Sequence, residues 1–250
     1  MITGRHTLTA ALALSLAAAV AACGSRSDVG DAPPRRQPSA PATSRSTQPP
    51  PSPARADVPA RSRPRIVFLG DSLTAGLGLA TSQAYPALIQ QRLDAAGLDY
   101  DVVNAGVSGD TSAGGLARLD WALDGDVRIL VVALGGNDAL RALPTEQLKH
   151  NLATIIERAQ ARGITVVLAG MEAPPNFGRD YIVSFHKVYP ELAGRYQVAF
   201  VPFLLQGVAG SDTLNQRDGI HPTPEGARIL ADTVWAALEP LAKGEKRSGS

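Results

Sequence analysis

The chain has 250 residues and a mass of 26.0 kDa, enough for one ordinary domain with appendages. Its 44% hydrophobic and 19% charged residues allow a packed core and exclude wholesale disorder, and a net charge of +1 excludes nucleic-acid binding driven by overall charge. One cysteine excludes a disulfide framework and a Cys/His zinc site, and neither a metal nor a cofactor is expected.

The first segment reads as an export signal. Arg5 and His6 precede an apolar run of 13 residues, Ala10 to Ala22, interrupted only by Ser15. As a helix it would rise about 20 Å, short of the ~30 Å hydrocarbon core, so residues 1–22 suit a secretory signal and not a membrane span. The run ends in Val20-Ala21-Ala22-Cys23, which resembles the lipobox of bacterial lipoproteins; Val20 stands where Leu is usual. The resemblance implies lipidation of Cys23, with anchorage to a bacterial membrane. The plainer alternative is ordinary cleavage at a small-residue site.

Residues 23–64 read as a tether. Ten of the 19 prolines fall between Pro33 and Pro64, among Ser and Arg and almost no large apolar side chains. Such a stretch cannot bury enough surface to offset the entropy of ordering. Its 41 residues after Cys23 would reach at most about 130 Å in polyproline geometry. Residues 24–64 carry seven Arg and three Asp, whereas residues 65–250 carry 16 Lys+Arg against 20 Asp+Glu. A basic leash near an anionic membrane is one explanation; a soluble spacer is the preferred one.

Residues 65–241 alternate strand and helix, and 242–250 form a short tail. Apolar runs of strand length occur at Ile66–Leu69, Val102–Val103, Ile129–Leu134, Thr165–Ala169 and Val198–Val201. In 145–162, Leu148, Leu152, Ile155, Ile156 and Ala159 form an apolar stripe; in 224–241, Leu230, Val234, Leu238 and Leu241 do the same. Thr223 is placed to cap the last helix, with Pro224 at its first position. This alternation predicts a parallel sheet covered by helices on both faces, with the working site beyond the carboxyl ends of the strands.

The strand ends carry the chemistry. Gly70-Asp71-Ser72-Leu73 follows the first, Asn104-Ala105-Gly106-Val107-Ser108-Gly109-Asp110 the second and Gly135-Gly136-Asn137-Asp138 the third. Asp218-Gly219-Ile220-His221-Pro222 precedes the last helix. Ser72 sits at a strand-to-helix turn, where it is either a helix N-cap or a nucleophile awaiting a base. Of the four histidines, His6 lies in the signal, His150 on the polar side of its stripe, and His186 beside no carboxylate in sequence. His221 follows Asp218 by three residues, a spacing that lets the carboxylate fix the imidazole tautomer, although a helix-entry turn could contain both by chance. Gly106 and Asn137 could donate to an oxyanion, or be ordinary turn residues.

Taken together, these blocks resemble the SGNH subgroup of the GDSL hydrolases. The family's serine, glycine, asparagine and histidine fall on Ser72, Gly106, Asn137 and His221, and its aspartate on Asp218. The segments Gly-Asp-Ser-Leu-Thr-Ala-Gly (70–76), Ser-Gly-Asp-Thr (108–111), Gly-Leu-Ala-Arg-Leu (115–119), Gly-Gly-Asn-Asp-Ala-Leu-Arg (135–141), Ala-Pro-Pro-Asn-Phe-Gly (173–178) and Asp-Gly-Ile-His-Pro (218–222) are similar to the bacterial thioesterase I, lysophospholipase and arylesterase branch. The resemblance covers roughly 65–241 and implies an α/β, flavodoxin-like three-layer sandwich with a short parallel central sheet. It implies a serine esterase acting through an acyl-enzyme on aryl esters, acyl esters, lysophospholipids or thioesters. The catalytic residues would be Ser72, Asp218 and His221, and the oxyanion donors the backbone N–H of Ser72, Gly106 and Asn137. The loops 107–112 and 172–178 would flank the acyl chain, with Asp110, Ala173, Pro174 and Phe177 as candidate substrate contacts. The Pro174-Pro175 pair either stiffens an apolar wall or merely ends a strand. The expected partners are a small-molecule ester or lipid and a bacterial membrane, with no nucleic acid and a monomer assumed.

Three rivals remain at this point. A nucleotide-binding protein would need Gly-x-Gly-x-x-Gly after the first strand, and Gly76-Leu77-Gly78 lacks the third glycine. A non-catalytic lipid-binding lipoprotein would lack one of the catalytic residues, all of which are present. A carbohydrate or cell-wall O-acetyl esterase would use the same chemistry on another substrate.

Overall fold

Val, Ile and Leu dominate the inner strands because each strand is buried on both faces. In a computed structural model, residues 63–244 are described. The strands are β1 (Arg65–Gly70), β2 (Asp101–Gly106), β3 (Val127–Ala133), β4 (Thr165–Ala169) and β5 (Ala199–Val201). They form one parallel sheet in the order β2-β1-β3-β4-β5. β1 and β3 are central, and Ile66, Phe68, Leu69, Leu130, Val131 and Val132 are fully enclosed. β2 is an edge strand and half-exposed, so only Val102–Val103 stood out as apolar in a strand of six residues.

The helices are α1 (Ser72–Ala75), α2 (Tyr85–Ala95), α3 (Ser112–Ala117), α4 (Leu119–Ala122), α5 (Gly136–Leu140), α6 (Thr145–Ala161), α7 (Arg179–Tyr196) and α8 (Pro224–Ala242). α2 and α8 pack together over one face of the sheet; α3, α6 and α7 cover the other, giving the expected three layers. The stripe of α6 is buried as its spacing requires, at Leu148, Leu152, Ile155, Ile156 and Ala159. On α8, Leu230, Val234 and Leu238 are buried, Leu241 is half-buried, and Ala242 closes the stripe. Thr223 Oγ1 accepts the Gly226 N–H at 3.3 Å, with Pro224 next, so the cap is as the sequence requires.

Residues 63 and 64, the last two of the tether segment, are among the described residues. Arg63 pairs with Asp99, and the carbonyl of Pro64 accepts the N–H of Asp101 at 3.0 Å, which joins both residues to the edge of the sheet. At the other end, α8 runs to Ala242, and Lys243 caps it and pairs with Glu239 at 3.0 Å. The signal, Cys23 and the rest of the tether lie outside the described residues.

The sheet positions the site. Going outward from β1, the chain order runs one way to β2 and the other way through β3, β4 and β5, so a crevice opens where the direction reverses. The segments after β1 and β3 face each other across it.

Candidate active site

Ser72 opens α1, a single four-residue turn. Its N-cap is Asp71, whose Oδ1 accepts the Leu73 N–H at 3.0 Å, so Ser72 is not the capping residue and its hydroxyl is free for other work. The segment after β5 builds the opposing arm. Asn215 and Pro222 form an isolated antiparallel bridge, the Gln216 N–H donates to the His221 carbonyl at 2.7 Å, and the Thr223 N–H donates to the Leu214 carbonyl at 2.8 Å. Gln216 Nε2 also donates to the carbonyl of Leu77 at 2.8 Å, which ties this arm to the chain just after Ser72.

The arm brings His221 Nε2 to 2.8 Å from Ser72 Oγ and holds His221 Nδ1 2.7 Å from Asp218 Oδ2. Asp218 Oδ1 accepts the N–H groups of Ile220, at 2.9 Å, and His221, at 3.0 Å. The backbone N–H of His221, then its ring, then the N–H of Ile220 hold the Asp218 carboxyl well below the usual carboxylate range. An ionised carboxylate only accepts, so Nδ1 is assigned the ring proton and Nε2 is left to accept the proton of Ser72.

The donor side departs from the sequence expectation at Gly106. Its N–H already donates to Asn104 Oδ1 at 3.0 Å, and it does not line the cavity. A Cβ at Gly106 would lie 2.3 Å from the backbone nitrogen of Ala75, so glycine is needed there to let β2 end against α1. Three residues on, Gly109 does line the cavity, with φ +87, and its N–H has no hydrogen-bond partner among the described residues. The Ser72 N–H is likewise unpartnered among the described residues. Asn137, second residue of α5, lines the cavity and donates from Nδ2 to the Asp110 carbonyl at 3.0 Å and more loosely to Asp71 Oδ2 at 3.3 Å. Asp71 is 3% exposed, and burial raises its carboxyl to about 6, against the lowering by the Leu73 N–H.

The cavity has a volume of about 690 Å³. Ala173 and Pro174 line it as expected, and Pro175 joins them. Asp110 and Phe177 do not. The Asp110 carboxylate is engaged by Arg118 Nε at 2.6 Å, and Phe177 packs on Tyr181 with ring centroids 5.9 Å apart. Sequence reasoning missed Met171, Phe203 and Leu205 in the wall. The last two follow β5, whose immediate sequel carries no polar glycine-rich block in the sequence. Leu77, Leu140 and Ile220 line the mouth and remain exposed. His150 is exposed on α6 as expected. His186 is also exposed but has a carboxylate neighbour in space, with Nδ1 2.7 Å from Glu172 Oε1, a contact hidden by a separation of 14 positions in the chain.

The chain is also similar to known proteins. The model of the GDSL-like Lipase/Acylhydrolase family matches residues 68–229. Over 177 residues the chain is 48% identical to esterase TesA of Pseudomonas aeruginosa, spanning 70% of this chain and 88% of that protein. It is 37% identical over 177 residues to thioesterase 1/protease 1/lysophospholipase L1 of Escherichia coli, spanning 70% of this chain and 84% of that protein. A crystal structure of TesA superposes with a TM-score of 0.69 at 47% identity, covering 71% of this chain and 99% of that chain. The chain therefore belongs to the GDSL-like lipase/acylhydrolase family and is a serine hydrolase of carboxylic esters.

Proposed function

We propose that Ser72 is the nucleophile, His221 the general base and then general acid, and Asp218 the group that orients the imidazole and stabilises its charged form. The observation that carries this reading is the unbroken relay from Asp218 through His221 to Ser72 Oγ at the mouth of an apolar cavity. In the first half-reaction Ser72 Oγ bonds to the acyl carbon as Nε2 takes its proton. The tetrahedral intermediate then expels the alcohol or thiol, which leaves with that proton. Water repeats the sequence on the acyl-enzyme and releases the acid.

The developing oxyanion is held by the N–H groups of Ser72 and Gly109 and by Asn137 Nδ2, with Gly109 in the place first given to Gly106. The long bond from Asn137 to Asp71 is the one given up when the oxyanion forms. Met171, Ala173, Pro174, Phe203 and Leu205 offer an apolar wall to an acyl or aryl group, which favours such esters and thioesters over acetylated sugars.

We further propose that the enzyme is exported and held at a membrane through lipid on Cys23. The support is the sequence Val20-Ala21-Ala22-Cys23 after a short apolar run. Among the described residues no helix is long and apolar enough to cross a membrane. Measuring the mass of the mature N-terminal peptide tests this point: an unmodified Cys23 thiol on a soluble protein would refute it. The catalytic assignment is tested by Ser72→Ala, which should remove the acyl-enzyme route and leave only residual hydrolysis; near-normal esterase activity in the folded variant would refute it.

A further inference from the structure

We propose that Arg118, which lies outside the cavity, is the positioning residue of the oxyanion hole. The inference rests on the serine-esterase reading above. Arg118 sits at the junction of α3 and α4, and its guanidinium reaches two of the loops that carry the donors. Nη2 donates to the carbonyl of Gly70 at 2.9 Å, two residues before Ser72. Nε donates to Asp110 Oδ2 at 2.6 Å, and Asp110 directly follows Gly109. The Asp110 carbonyl in turn accepts Asn137 Nδ2 at 3.0 Å. The Gly70 carbonyl also accepts the Val107 N–H at 3.0 Å, so the two loops meet at one oxygen that Arg118 holds. Ser72, Gly109 and Asn137 are thus linked through a single planar side chain, although none of them touches it.

Stability alone is a poor reason to keep an arginine here. The Arg118 and Asp110 side chains are each only 18% exposed, so both charges are largely desolvated. Arg118 Nη1 is buried with no hydrogen-bond partner among the described residues, a further desolvation cost that an apolar residue would avoid. What an apolar residue could not do is fix the distance between the Gly70 carbonyl and the Asp110 carboxylate. A lysine would keep the charge but lose the rigid fork that spans the two acceptors.

The test compares the full chain with Arg118→Lys and Asp110→Asn, reading kcat and KM on a short aryl ester and the thermal melting point. It also reads affinity for two ligands of equal length: an alkyl boronic acid, whose adduct on Ser72 places an oxygen in the hole, and an alkyl ether, which only fills the cavity. The expected result is a fall in kcat of roughly 10²-fold, because small misplacement of preorganised groups carries a penalty of that order. KM and ether affinity should stay within about twofold, and boronate affinity should fall in proportion to kcat. The double variant should be little worse than either single one. A folded Arg118→Lys with unchanged kcat would overturn the proposal, as would parallel losses in boronate affinity, ether affinity and melting point. If Arg118→Lys does not fold, Asp110→Asn decides by the same criteria. A wild-type enzyme that is active but forms no boronate adduct would overturn the serine reading along with this one, whereas a normal wild-type adduct with unaffected variants overturns only the role of Arg118.

Discussion

His221 Nε2 lies 2.8 Å from the hydroxyl of Ser72 although 149 positions separate them in the chain. Two local devices close that distance: the antiparallel bridge between Asn215 and Pro222, and the bond from Gln216 to the Leu77 carbonyl. This contact therefore depends on loops outside the sheet, while the sheet sets the starting points of those loops.

The two glycines after β2 should separate cleanly on substitution. Gly106→Ala forces a Cβ to within 2.3 Å of Ala75 N and should lower the melting temperature. Gly109→Ala places a side chain at φ +87 and should lower kcat with little change in KM, by disturbing the cavity loop. Asn137→Ala should lower kcat by roughly 10²–10³ with little change in KM. Steady-state kinetics and thermal melts on the three variants check this set; a fully stable Gly106→Ala with reduced kcat would restore the original donor assignment.

Neither other histidine among the described residues should matter for turnover. His150→Ala and His186→Ala are expected to keep kcat/KM within about twofold, since both side chains are exposed and the His186–Glu172 pair lies at the surface. A large loss in either, measured on an aryl ester, would show that the base was wrongly chosen.

Asp71 predicts a pH-dependent stability. Its carboxyl is raised from 3.8 to about 6 by burial, so between those values the folded chain binds more protons than the unfolded one. Stability from this group is therefore full below pH 4 and lost as pH rises through 6. The ionised group then costs on the order of 3 kcal/mol at pH 7. Asp71→Asn should remove much of that cost, so its advantage in urea denaturation should be present at pH 7 and vanish near pH 4. An advantage of equal size at both values would place its origin elsewhere.

The wall of the cavity predicts chain-length selection. Ala173→Phe should fill space beside Met171 and Pro174 while leaving the relay untouched. Acetyl esters should be hydrolysed at close to the original rate, and longer acyl esters should lose kcat/KM by roughly tenfold, as a few lost methylene contacts imply. A uniform loss across all chain lengths would contradict this placement of the acyl group.

Much of this was legible in the chain because it depends on local signals. Strand-length Val/Ile runs, the α6 stripe and the Thr223-Pro224 cap are written in consecutive residues; the rule that active groups follow strands points to Ser72 and Asn137, and comparison of the four histidines with the Asp218 spacing points to His221. Side-chain direction was not legible. Asp110 and Phe177 stand in the right loops, yet one turns to Arg118 and the other to Tyr181. Nor does a sequence say which glycine is there for packing and which for a turn, so the strand-end Gly106 reads as a donor and the part played by Gly109 is not visible. The α7 helix carries Pro190 in its interior, which argues against a helix, while Tyr181, Phe185 and Tyr189 at four-residue spacing argue for one; packing of the three rings favours the helix.

The central claim is that Ser72, activated by His221, forms the covalent acyl-enzyme. It is tested most directly by treating the full chain with an alkyl phosphonate ester that stalls serine hydrolases at the covalent stage, then mapping the adduct by peptide mass. Loss of activity should track one adduct per chain on the peptide containing Ser72, and His221→Ala should label far more slowly. Complete inhibition with the adduct on another residue, or full activity retained with Ser72 modified, would contradict the account.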